Sequence, residues 1–256
     1  MEPVYRVLEG LASTIHAVQG THRRVFGAEH VPAEGGAVLA INHTGYVDFM
    51  PLGLALRTRG RRARFLVKSE LMDIGIMRYL VHHARAVPVD RTAGGEAYRA
   101  AVQALRAGEL IAVYPESTIS RSFELKEFKS GAVRMAVEAQ APVIPAIVWG
   151  AHRQWSKGVE RRMGRDGIPI DVEFGEPMLF SADGDLHEQT AELREAMLEL
   201  LHRVQSRYPE APAGADWVPA RLGGGAPTPE SALVIEDAEA AEKAARRAEK
   251  KRKKSR

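Results

Sequence analysis

Ala37-Val38-Leu39-Ala40-Ile41-Asn42-His43-Thr44-Gly45-Tyr46-Val47-Asp48 begins as an unbroken apolar run and ends in a polar turn. Five apolar residues in succession after Gly35-Gly36 fit a short strand covered on both faces. Runs of the same kind recur at Phe65–Val67, Ala86–Val89, Leu110–Val113, Val143–Val148 and Pro169–Phe174. Helical patterns lie between them: Ala97–Ala107 stops at Gly108, and Ala132–Ala139 halts before Pro142. Strands alternating with helices predict an α/β fold, a largely parallel central sheet flanked by helices.

Both flanks differ from this core. Val4, Leu8, Leu11, Ile15 and Val18 recur at helical spacing and predict an N-terminal amphipathic helix, either packed on the core or lying in a membrane interface. Leu186, Leu193, Met197, Leu200 and Val204 mark a closing amphipathic helix that ends at Tyr208-Pro209. From Ala211 to Pro229, Pro, Gly and Ala dominate and read as a linker. Residues 236–256 read as a tail, disordered or, at most, a lone charged helix. The division is therefore a helical segment at 1–30, an α/β domain at 31–210, and linker plus charged basic tail at 211–256.

Composition removes several classes of chemistry. The chain has no cysteine, so it has no disulfides, thiolate nucleophile or cysteine-held metal. No run of 18 apolar residues suggests a spanning helix. The formal charge of +3 resides in residues 213–256, where ten Lys and Arg face seven Asp and Glu. The body is neutral. The terminal Lys250-Lys251-Arg252-Lys253-Lys254 suits solvent or an anionic membrane surface. Without a basic body or interleaved aromatics, nucleic-acid binding is not expected. His82-His83 lacks a nearby third ligand, so no metal is expected.

The chemistry collects where strands end. His43 and Asp48, five apart, diverge by about 140° on one continuous helix. They meet if His43 occupies the turn and Asp48 the first helical turn, with Asn42 or Thr44 supplying cap hydrogen bonds. An Asp on one imidazole nitrogen fixes the tautomer and leaves the other as a base. Such a pair alone is more often structural than catalytic. Asp90-Arg91 closes the 86–89 run, and an Arg at a strand's carboxyl end suits phosphate. Tyr114-Pro115-Glu116-Ser117-Thr118 follows the next run, with Arg121, Lys126 and Lys129 behind it. Three strand ends thus offer a base, a phosphate clamp and a polar cradle.

Asn42-His43-x4-Asp48, Val87-Pro88-Val89-Asp90-Arg91, Tyr114-Pro115-Glu116 with Phe128-Lys129-Ser130-Gly131, and Val143-Ile144-Pro145-Ala146 stand in this order. In these blocks the chain resembles the phospholipid and glycerol acyltransferase family, in its 1-acyl-glycerol-3-phosphate acyltransferase branch. The resemblance covers roughly residues 38–150 and extends to Phe174-Gly175-Glu176-Pro177. It implies transfer of a fatty acyl group from acyl-CoA, or from acyl-carrier protein, to the hydroxyl of a lysophosphatidate, giving phosphatidic acid. His43 is then general base and Asp48 its orienting carboxylate. Arg91 with Lys129 holds the phosphate, Glu116 bonds glycerol hydroxyls or orders the loop, and Ser117 is part of the acceptor cradle or the turn. No cofactor is implied, and the expected location is peripheral, on the cytoplasmic side of the cell membrane. The apolar stretch Leu71–Leu80 either packs in the core or, by the resemblance, faces membrane and acyl chain. Glycerol 3-phosphate, a lysophospholipid or a glycolipid are alternative acceptors, and a noncatalytic lipid- or phosphate-binding module is the alternative of another class.

The chain departs from the family pattern in the third block. It has Glu116-Ser117-Thr118-Ile119-Ser120 where Glu-Gly-Thr-Arg-Ser is usual, and Arg85 where the second block has Gly. Ser117 adds a Cβ and Ile119 removes a cation, which Arg121 or Lys126 could replace from nearby. Ser117 is not framed as Gly-x-Ser-x-Gly, so a nucleophilic serine is not expected.

Overall fold

The computed structural model describes residues 3–68, 86–89 and 95–254, with residues 73, 75, 78, 79 and 82 between them. Among the described residues, the helices with both ends defined are α1 (Pro3–Val18), α2 (Phe49–Leu56), α3 (Gly95–Arg106), α4 (Gly131–Ala139), α5 (Leu186–Arg207) and α6 (Pro229–Lys254). The strands are β1 (His22–Phe26), β2 (Ala37–Ile41), β3 (Ala63–Lys68), β4 (Val87–Val89), β5 (Leu110–Val113), β6 (Val143–Trp149) and β7 (Pro169–Phe174). They form one seven-stranded sheet in the order β1-β7-β6-β2-β5-β3-β4. All neighbours are parallel except β6 and β7. This is the expected α/β architecture. Most of the Leu71–Leu80 stretch, with His83, Arg85, Asp90 and Arg91, lies outside the described residues.

Alternation along the strands divides the core in two. Val38 and Ala40 of β2 join Ile111, Val113, Ile147 and Trp149 beneath α3, α4 and α5. Ala37, Leu39 and Ile41 point the other way, with Ile144, Val148 and Ile170, and are covered by Leu52, Ala55 and Leu56 of α2. The strand is apolar throughout because both of its faces are buried. α5 buries Leu193, Met197, Leu200, Leu201 and Val204, and Asp185 caps its start by accepting the His187 and Glu188 N–H groups, each at 2.8 Å.

Two regions differ from expectation. Within the segment expected to be helical at 1–30, His22-Arg23-Arg24-Val25-Phe26 forms an edge strand paired with β7. Its Arg24 fork grips the buried Asp171 at 2.6 and 2.8 Å, so the strand's charge is paired within the fold. The stretch expected as a linker packs instead: Trp217, Val218 and Ala226 are buried in the larger core. His152 Nε2 donates to the Trp217 carbonyl at 3.1 Å, and the Arg153 guanidinium lies 3.9 Å from the Trp217 ring. The Gly-rich composition serves close turns here, not flexibility. Residues 229–254 take the helical rather than the disordered form, and α6 is not alone, because Ala232 is buried and its glutamates meet the domain.

Candidate active site

β2, β5 and β6 are adjacent, so the turns after them converge at the carboxyl edge of the sheet. Asn42 makes the first of these turns possible. Its fully buried amide accepts the Val148 N–H at 2.7 Å and donates to the Val148 carbonyl at 3.1 Å. A side chain thereby completes the β2–β6 ladder, freeing the backbone to leave the sheet at His43.

His43 Nδ1 lies 3.3 Å from Asp48 Oδ2, and Asp48 is completely buried. Asp48 precedes α2 but forms no cap bond to that helix. Its Oδ2 instead accepts the Thr44 and Gly45 N–H groups at 3.0 and 2.8 Å. The expected Asn42 or Thr44 cap is thus replaced by a carboxylate that reaches back into the turn. Burial pushes the Asp48 carboxyl above its ordinary value, while His43 and the two N–H groups pull it down. Gly45 is needed for this packing: a Cβ there would come within 3.0 Å of both Asp48 Oδ1 and His152 Cα.

Two groups from the β5 turn hold His43 from other sides. The Tyr114 ring stacks on the imidazole with centroids 4.0 Å apart and 23° between planes. Glu116 is buried; its Oε1 accepts the His43 N–H at 2.7 Å and its Oε2 accepts the Lys126 N–H at 3.1 Å. Burial pushes Glu116 up to about 8, against the lowering effect of those two bonds. Of the two roles open to Glu116, loop ordering is the one these contacts describe. The Ser120 N–H closes the arrangement on the His43 carbonyl at 2.8 Å.

The remaining expected residues are placed as follows. Ser117 is exposed and has φ 62°, a left-handed conformation that favours the glycine it stands in for. Ile119 is buried, so its side chain packs in the loop rather than facing a ligand. Lys129 is exposed, with its N–H donated to the Pro115 carbonyl at 2.9 Å. Arg91 is outside the described residues, so no position is assigned to it. Sequence reasoning missed Tyr114 as a platform for His43, although its place directly after a buried strand put it at the same sheet edge. A separate cleft of about 350 Å³ lies at the opposite, amino-terminal edge of the sheet. There Arg61 is occupied by the Pro32, Gly35 and Gly108 carbonyls and Arg64 by Glu109, which marks structural pairing.

Chemically, the site offers an imidazole with one nitrogen directed at a carboxylate, its ring clamped and its other nitrogen without a partner among the described residues. The Acyltransferase family model matches residues 22–149, which contain every one of these contacts except those of the 150–158 loop. The 1-acyl-sn-glycerol-3-phosphate acyltransferase of Bacillus subtilis strain 168 is 30% identical over 128 residues, 50% of this chain and 62% of that protein. The protein of the same name from Limnanthes douglasii is 29% identical over 164 residues, 63% of this chain and 56% of the relative. The chain thus spans less than two thirds of either curated relative. The crystal structure of the 1-acyl-sn-glycerophosphate acyltransferase of Thermotoga maritima shares the fold, with a TM-score of 0.65 at 21% identity, over 80% of this chain and 81% of that one. With half of its length matched, and that half holding the His43 turn and the Glu116 loop, the chain belongs to the Acyltransferase family.

Proposed function

We propose that this protein is an O-acyltransferase that moves a fatty acyl group from a thioester, acyl-CoA or an acyl-carrier protein, to the free hydroxyl of 1-acyl-glycerol 3-phosphate. The observation that carries the reading is the His43 Nδ1 contact with buried Asp48 at 3.3 Å. A carboxylate at Nδ1 selects the tautomer whose Nε2 is a base. Nε2 takes the proton of the acceptor hydroxyl as its oxygen attacks the thioester carbonyl. The tetrahedral intermediate then collapses, the C–S bond breaks, and the thiolate recovers the proton from the imidazolium. Asp48 stabilises that imidazolium, and the Tyr114 stack limits ring rotation. No side-chain nucleophile takes part.

The acceptor assignment is supported by the names of the relatives from B. subtilis and L. douglasii. In this reading Arg91 and Lys129 bind the acceptor phosphate and Ser117 lines the approach. Catalysis takes place at an anionic membrane surface, on its cytoplasmic side, with the protein lying on the bilayer. Exposed Val7, Leu11 and Val18 on α1 support such a placement, and among the described residues no helix is long and apolar enough to cross a membrane. The test is mass spectrometry of products made by the purified protein from a panel of acceptors and thioesters. Phosphatidic acid from lysophosphatidate is expected; transfer to no phosphorylated glycerol would overturn the assignment.

A further inference from the structure

Beside the His43 turn is a group of cations that the transfer chemistry does not use. Lys126 Nζ donates to Thr118 Oγ1 at 2.8 Å and is ion-paired with Glu236 of α6. Arg121 is ion-paired with Glu239, one turn further along the same helix. Lys157, on the loop after β6, shares the field of both glutamates and both cations, and burial lowers its pKa. Arg121 reaches this point over Gly158, where any Cβ would stand 2.8 Å from its guanidinium. Two carboxylates from a segment outside the matched family region therefore sit among three basic side chains.

The fit is incomplete. Glu236 Oε1 and Arg121 Nε are both buried without a hydrogen-bond partner among the described residues. A carboxylate offers two acceptor oxygens, whereas a phosphate offers three or more around one centre and suits an ammonium, a guanidinium and a hydroxyl together. The cradle is also coupled to the base. Glu116 bridges the His43 N–H and the Lys126 N–H with its two oxygens. Ser156 Oγ donates to the Thr44 carbonyl, and Tyr46 N–H donates to the Trp155 carbonyl at 3.0 Å, which ties the Lys157 loop to the same turn. The cradle and the His43 turn thus share the Glu116 carboxylate.

We propose that Arg121, Lys126 and Lys157, with Thr118, form an anion site for the phosphate of a substrate, and that Glu236 and Glu239 of α6 occupy it as a displaceable internal competitor. The inference rests on the acyl-transfer reading for its phosphorylated substrate. The phosphate can come from CoA, or from the acceptor in place of the Arg91 and Lys129 assignment, and the experiment separates the two.

Glycerol 3-phosphate and CoA are titrated calorimetrically, each alone, into the full chain and into its E236Q/E239Q variant. The variant is expected to bind one of them about tenfold more tightly, and a further K126Q change to reverse the gain. The ligand that gains identifies the source; no gain for either overturns the site. A second measurement needs no substitution. Hydrogen exchange of residues 229–242 in the unaltered chain is expected to rise at saturating ligand, and unchanged exchange overturns displacement. Binding is read without turnover, so a gain in affinity with no acylated product leaves the site standing and removes the transfer reading. His43-dependent transfer with no gain in affinity removes the site alone.

Discussion

His43 is restrained at three points: Nδ1 by Asp48, the ring face by Tyr114, and the backbone N–H by Glu116. Replacing the imidazole alone should therefore affect chemistry far more than shape. His43→Ala is expected to lower kcat by about 10²–10⁴-fold with the thermal midpoint and acceptor affinity nearly unchanged; equal turnover would remove the base assignment. Glu116 carries a pH dependence of its own. Its carboxyl titrates at about 8 in the fold against an ordinary 4.5. Between those values the native chain keeps a proton that the unfolded chain has released. Its contribution to stability thus falls as pH rises from about 4.5 to about 8, and is level above that. The stability advantage of the unaltered chain over Glu116→Gln, from denaturant melts, should shrink between pH 5 and pH 8; a constant difference would contradict this. The meeting of His43 and Asp48 was legible from a strand-to-turn boundary and a five-residue spacing. The Tyr114 stack was not, because it depends on β2 lying beside β5, and no local pattern states that adjacency.

At the scale of elements, the turn after β2 depends on what surrounds it as much as on its own residues. A Cβ added at Gly45 would meet Asp48 Oδ1 and the His152 Cα at 3.0 Å and the Trp155 carbonyl oxygen at 3.1 Å. Two of these neighbours are backbone and have little room to give. Gly45→Ala should cost about 1–3 kcal/mol by crowding and should displace Asp48, measurable as a lower denaturation midpoint together with reduced kcat. A neutral result in both would show that the turn has slack. The buried strands were readable because two-sided burial makes them continuously apolar. β1 was not, since its Arg24 finds a buried acid on a strand distant in sequence, so the charge that argues against a strand is neutralised only in the fold.

For the whole molecule, residues 211–229 act as a packed strap between α5 and α6. Trp217 fills space against His152, Arg153 and Tyr208, well inside the larger core. Trp217→Ala should cost about 3–5 kcal/mol, read by chemical denaturation, whereas a true linker residue would change little. The composition of this stretch concealed it, since glycines that permit close turns look the same as glycines that permit motion.

The pairing of β1 with β7 has a consequence in time. Arg24 and Asp171, partners in that ladder, are 147 residues apart in the chain. At synthesis rates of about 5–20 residues per second, the first strand leaves the ribosome roughly 7–30 seconds before its mate exists. During that interval its row of unpaired amides is open to any exposed strand nearby, and its two adjacent arginines are the residues best suited to discourage such encounters. The charge that hid this strand in the sequence thus also guards it until β7 arrives.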